Sequence, residues 1–166
     1  MLNFSAKANL SLVVFLAFLL GAPYVGAEEI VFFDEGDFYS GDVLDGKPHG
    51  IGKMTYANGD VYYGNWANGE RTGRGIFFWA IGTQYLGDWL AGEKTGKGVF
   101  TWPSGNRYEG KFKQGNFHGR GILTFANGDY CKGKWRNGSL IRGLGWFNTR
   151  QALCWQDSAG INFVYN

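Results

Sequence analysis

YYGNWANGERTGRG, residues 62–75, holds a strand, a tight turn and a returning strand. Tyr62, Gly64 and Trp66 alternate with Tyr63 and Asn65, so in an extended chain the first three share one face. Asn68-Gly69 supplies residues that accept positive φ, as a tight connection between antiparallel strands requires. On the return, Gly73, Gly75, Phe77 and Trp79 share a face. A strand glycine leaves a shallow groove where the ring of an adjacent strand can lie, which restores packing that glycine otherwise forfeits.

The stretch recurs along the chain. Tyr39, Tyr62, Tyr85, Tyr108 and Cys131 stand 23 residues apart, followed two residues later by Gly41, Gly64, Gly87, Gly110 or Gly133, and two further on by Val43, Trp66, Trp89, Phe112 or Trp135. Returning halves carry Gly50 and Gly52, Gly73 and Gly75, Gly96 and Gly98, and Gly119 and Gly121. The fifth unit reads Gly143 and Gly145, one residue late, which an insertion between Gly138 and Gly143 explains. Asn58-Gly59, Asn127-Gly128 and Asn137-Gly138 mark further turns. No single hairpin buries enough apolar surface to stand alone, so each leans on its neighbours. The pattern predicts an all-β chain of tandem 23-residue β-hairpin repeats forming an elongated antiparallel sheet array. A half-repeat cap at 28–37 opens it, because residues 33–37 align with 56–60. Five repeats follow over 38–147, and 148–166 reads as a capping hairpin with strand-like pieces at 153–155 and 161–165.

The Tyr62-x-Gly64-x-Trp66-x-x-Gly69 pattern followed by Gly73-x-Gly75 resembles the MORN (membrane occupation and recognition nexus) repeat. The resemblance runs from Phe38 to about Phe147 and implies a binding or scaffold protein that meets anionic membrane surfaces or protein partners. The first unit departs at Val43, the fifth at Cys131 and in its displaced glycines.

At 166 residues the chain has room for one compact unit or short array, and its 18% aromatic residues with 28 Gly but 3 Pro suit strands joined by tight turns. The N-terminus differs: Lys7, an apolar run over residues 10–20, then Gly21, Pro23 and Val25-Gly26-Ala27 read as a signal peptide at 1–27, cleaved after Ala27. The run falls short of the roughly 20 apolar residues that span a bilayer. Export to a periplasm or the cell exterior would place Cys131 and Cys154 in an oxidising compartment, where they can pair; two buried free thiols are the alternative.

No catalytic residues, metal ligands or cofactor are expected. His49 and His118 precede Gly50 and Gly119 where Thr72 and Thr95 stand in other units, which fits a turn hydrogen bond better than a general base. Gly73-Arg74-Gly75 and Gly96-Lys97-Gly98 lack the following helix of a phosphate loop. Asn137-Gly138-Ser139 reads as a turn or, in a eukaryotic source, a glycosylation sequon.

Charge is where binding shows. Residues 28–70 carry nine acids against Lys47 and Lys53, whereas 71–166 carry thirteen bases against five acids. On the face opposite the aromatic columns, Arg107, Lys111, Lys113, Lys132, Lys134 and Arg136 form an expected basic patch that Arg74, Lys97 and Arg120 extend. Two binding readings follow: anionic lipid headgroups or an acidic protein partner on the basic face, weakened by salt, or cell-wall sugars stacked on Trp66, Trp89 and Trp102, insensitive to salt. The charge polarity also allows head-to-tail homo-oligomers. Nucleic acid is not an expected partner, because no reader module accompanies the charge.

Overall fold

The structure, a computed structural model, describes residues 13–14, 29–33, 36–148, 150–158 and 160–165. The expected signal peptide over 1–27, with the expected cleavage after Ala27, lies outside them apart from residues 13–14. Among the described residues, fourteen antiparallel strands form one sheet in sequence order. They are β1 (Val13–Val14), β2 (Glu29–Phe32), β3 (Phe38–Leu44), β4 (Lys47–Thr55), β5 (Val61–Ala67), β6 (Glu70–Phe78), β7 (Gln84–Leu90), β8 (Glu93–Thr101), β9 (Arg107–Lys113), β10 (Asn116–Thr124), β11 (Tyr130–Arg136), β12 (Ser139–Phe147), β13 (Arg150–Asp157) and β14 (Gly160–Tyr165). The hairpins are β3–β4, β5–β6, β7–β8, β9–β10 and β11–β12.

Glycine runs straight across this sheet. Gly41 pairs with Gly52, Gly52 with Gly64, Gly64 with Gly75, and so on through Gly133 and Gly143. Tyr39, Tyr62, Tyr85 and Tyr108 lie over that row, fully buried. A Cβ placed on Gly52, Gly75 or Gly121 would sit on the phenol of Tyr39, Tyr62 or Tyr108. Each returning strand bulges just before this row: Gly64 faces Gly75 but Asn65 faces Thr72, leaving Gly73 and Arg74 over. Gly73 reaches the bulge conformation at φ +54°. Bulging frees carbonyls from the ladder, and buried carbonyls need partners. The tyrosine hydroxyls provide them: Tyr39 Oη lies 3.0 Å from the carbonyls of both Asp42 and His49, and Tyr85 Oη 3.0 Å from that of Asp88. This explains why His and Thr interchange before the first glycine. The backbone carbonyl of that residue accepts, within a bulged strand rather than the expected turn.

Repeats are stitched to one another in two further ways. Trp66, Trp89 and Trp135 donate from Nε1 to the carbonyls of Gly52, Gly75 and Gly121 in the preceding unit, at 3.1, 3.2 and 3.3 Å. Their rings meet the tyrosine of that unit edge-on, Trp89 on Tyr62 at 5.3 Å and 83°, a geometry worth about 1 kcal/mol beyond area burial. On the turn side, Asp37, Asp60 and Asn106 accept the backbone N–H of Ala57, Ala80 and Ala126. In the unit between, the acceptor position is Thr83 and the donor position Pro103, which has no N–H to offer.

The fifth unit corrects one expectation. Gly143, not Gly145, pairs with Gly133, and only Ile141 is left over between the pairs Lys134 with Arg142 and Trp135 with Leu140. The unit has therefore lost one bulge residue rather than gained an insertion. Cys131 occupies the tyrosine column and is disulfide-bonded to Cys154 of β13, with a Cα–Cα distance of 6.3 Å. The two sulfurs cover Gly143 as a phenol covers the glycines of other units.

Burial raises the pKa of the Tyr39 and Tyr62 hydroxyls to about 12, the charge of Asp42 adding to the effect at Tyr39, and raises Tyr85 and Tyr108 further. Because the folded values exceed the unfolded value near 10, this contribution to stability is complete below pH ~10 and is lost as pH rises through the folded pKa near 12. Urea midpoints should hold steady up to pH ~10 and then fall. Tyrosinate absorbance from these four should appear together with unfolding; if they ionise near pH ~10 with the fold intact, the assignment of the column as a buried core fails.

Candidate functional site: a basic groove

Strand alternation gives the sheet two unlike faces. Trp66 and Trp89 are 5% and 4% exposed and their indole N–H groups are bonded internally, so they are core residues and cannot stack on sugars as expected. Trp102 is half-buried against Phe100 and Phe117. Arg71 and Lys94 extend over this aromatic face, the Lys94 ammonium 4.8 Å from the Phe100 ring centre. Burial first, and the Arg71 charge second, lower the Lys94 pKa.

The opposite face carries the cations. One cross-strand row there is largely apolar: Ile76 faces Leu86, Leu86 faces Val99, and Ile122 stands between Glu109 and Lys132. The neighbouring row is charged. Over Leu86, Val99 and Ile122 a groove of about 530 Å³ is lined by Arg74, Lys97, Lys111, Arg120 and Lys132, with Glu109 the one carboxylate. A second groove of about 560 Å³ shares Arg120 and Lys132 and adds Lys134, Arg142 and Leu153. Six of the nine expected basic residues thus meet. Arg107, Lys113 and Arg136 do not; they sit at strand ends, and Arg107 is paired with Glu109 at 2.8 Å.

Register makes this row unusual. Arg74 faces Asp88, and the two form an ion pair at 3.2 Å. In the following strands Lys97 faces Lys111, and Arg120 faces Lys134, which faces Arg142. Like charges directly opposite each other destabilise a sheet, so these pairs are a cost the fold does not require. Among the described residues no group of three or more His, Cys, Asp or Glu is placed to hold a metal ion.

Family comparison accounts for the repeat. The MORN repeat model matches residues 39–61, 62–84, 85–107 and 108–130. The chain belongs to the MORN repeat family. No curated protein matches the sequence. One solved structure, the TCP domain of SAS-4 (dCPAP) in complex with a proline-rich motif of Ana2 (dSTIL) of Drosophila melanogaster, is similar at 14% identity and a TM-score of 0.47, over 91% of this chain and 99% of that one.

MORN repeats are interaction modules, and this chain is accordingly a repeat-containing binding or scaffold protein. The groove begins in the second and third MORN units and runs into the fifth hairpin, beyond the family match. Arg142 is the groove cation that sequence reading missed, and the apolar floor of Leu86, Val99 and Ile122 was not foreseen either. Arg142 precedes Gly143 as Arg120 precedes Gly121, a correspondence hidden by aligning the fifth unit on its Gly-x-Gly. In the acidic half, Asp37, Asp42 and Asp60 accept backbone N–H groups at turns and bulges.

Proposed function

We propose that this MORN-repeat protein is exported, has its leader removed after Ala27, and acts without catalysis by taking an anionic partner, protein or membrane headgroup, into the basic groove. The observation that carries this reading is the run of like charges paired across strands, Lys97 with Lys111 and Arg120 with Lys134 and Arg142. Such a row is relieved by a bound anion. The disulfide supports export to an oxidising compartment, of which the periplasm is favoured.

The test uses the chain expressed with its own leader and a variant carrying Arg120→Glu and Lys134→Glu. Both are passed over immobilised polyglutamate and sedimented with anionic or neutral vesicles across a salt series. Wild type should bind at least one anionic surface at low salt and release it as salt screens the charges, while the variant binds about tenfold more weakly, a 1.4 kcal/mol loss. Absence of binding to every anionic surface, or equal binding by the variant, overturns the reading. Mass spectrometry of the same material should show a chain starting at Glu28.

A further inference from the structure

The bulges indicate what kind of anion the groove takes. In the first repeat the Asp42 carboxylate accepts the N–H of Ile51, the residue between the two bulge glycines. In the third, Asp88 accepts the equivalent N–H of Lys97 at 2.7 Å while the Arg74 guanidinium donates to its other oxygen at 3.2 Å. In the second repeat Asn65 spans the same bulge by donating to the Arg74 carbonyl at 2.8 Å. The fourth and fifth repeats have Lys111 and Lys134 at this position. Neither lysine carries an acceptor, so neither can repeat the bond.

Substitution, unit for unit, defines the pocket that results. The fourth-repeat counterpart of the Lys97 N–H is the Arg120 N–H, and the counterpart of the Arg74 side chain is Lys97. Lys111 replaces the carboxylate and lays its stem beside Gly119, with Cδ 3.3 Å from where a Cβ would stand. The donors that hold Asp88 thus recur one repeat on without their carboxylate, and a further cation is added. The next hairpin differs in its bulge, because Lys134 faces Arg142 directly and only Ile141 is left over, but it too sets a lysine where Asp88 stands, here between Arg120 and Arg142.

We propose that these two positions bind carboxylates of an acidic, extended segment of a protein partner, the first at the donors that hold Asp88 in its own repeat and the second among the cations Arg120, Lys134 and Arg142. This rests on the groove reading above and names its occupant. Three features favour a peptide over a lipid surface. The template within the chain is itself a carboxylate on a backbone N–H. The groove has an apolar floor, Leu86, Val99 and Ile122, which side chains of a peptide can cover. The two positions lie two strands apart, about 10 Å, and a polyproline II segment places residues i and i+3 on one side about 9 Å apart.

The experiment measures binding of a fluorescent synthetic peptide with two aspartates three residues apart, proline and leucine between them, and of its Asp→Asn counterpart. The protein is the exported chain, compared with Lys111→Asp and Lys134→Asp variants that restore the built-in carboxylate. These variants should keep or raise thermal stability, since Lys111→Asp replaces a like-charge pair by the arrangement of the third repeat and Lys134→Asp sets a carboxylate between Arg120 and Arg142. Each should weaken the aspartate peptide about tenfold, and the asparagine peptide should bind wild type at least as weakly. The proposal is overturned if both variants bind the aspartate peptide as wild type does, or if the asparagine peptide binds equally well. It is also overturned if phosphatidylserine vesicles bind through Lys111 and Lys134 while the peptide does not; the groove reading then survives with a membrane as its partner. Loss of binding to polyglutamate, peptide and vesicles alike would instead remove the groove reading itself.

Discussion

Replacing Tyr62 by alanine should cost about 3–5 kcal/mol, the range for deleting a large buried aromatic, and it should remove most of the penalty of a second substitution at Gly75. Tyr62 is fully buried, its hydroxyl donates to the Asn65 carbonyl at 3.1 Å, and its ring meets Trp66 at 5.0 Å and Trp89 at 5.3 Å. Gly75 lies directly beneath it. A Cβ there would collide with the phenol, as a Cβ on Gly64 would with the Gly75 backbone and the same hydroxyl. Gly75→Ala alone should therefore destabilise by about 1–3 kcal/mol through overpacking. In the Tyr62→Ala background the space is vacant, and the same methyl should cost well under half of that. Urea denaturation of the four proteins gives the coupling directly. Additive losses would show that the ring does not sit on the glycine and would dissolve the explanation for the repeat itself.

Reducing the Cys131–Cys154 disulfide should destabilise the C-terminal end by about 3 kcal/mol, the loop-entropy value for a closed loop of this size, the cysteines being separated by 23 residues. For a chain of this length that corresponds to a melting shift of about 6–12 °C if the array unfolds as one unit. The bond joins β11 to β13 across β12, so its loss should be felt first in the last hairpins. Hydrogen exchange in β12 to β14 should accelerate under reductant while the amides around Tyr62 keep their protection, as a quasi-one-dimensional array permits. Cys131→Ala with Cys154→Ala should reproduce the shift and abolish its dependence on reductant. A melting temperature indifferent to reductant would mean that cover over Gly143 comes from packing alone.

Much of this architecture is legible in residue order. Tyr62, Gly64 and Trp66 on one strand, and Gly73, Gly75 and Phe77 on the next, encode both the hairpin and the face on which rings meet glycines. Asn68 and Gly69 turn with φ of +53° and +86°, as such a dipeptide leads one to expect. The site was less legible. Trp66 and Trp89 read equally well as core or as sugar-stacking surface, because alternation gives a side chain its face but not what the next repeat lays over it. Arg107 and Lys113 share a face with Lys111, yet lie at the two ends of β9, where nothing gathers them into the groove.

Residue order alone encodes that hairpins form, that they follow one another, and that each tyrosine of the 23-residue column has a glycine to cover. Those features depend on a period of two within strands and of 23 between them, both local. Which cations meet is set by pairing across the folded sheet. A bulge adds one or two residues to one strand and none to its partner, so the residue opposite Lys97 or Arg120 depends on hydrogen-bond register accumulated across the sheet. That register sets lysine against lysine where a neighbouring repeat sets arginine against aspartate, and it hides Arg142 behind a single missing residue.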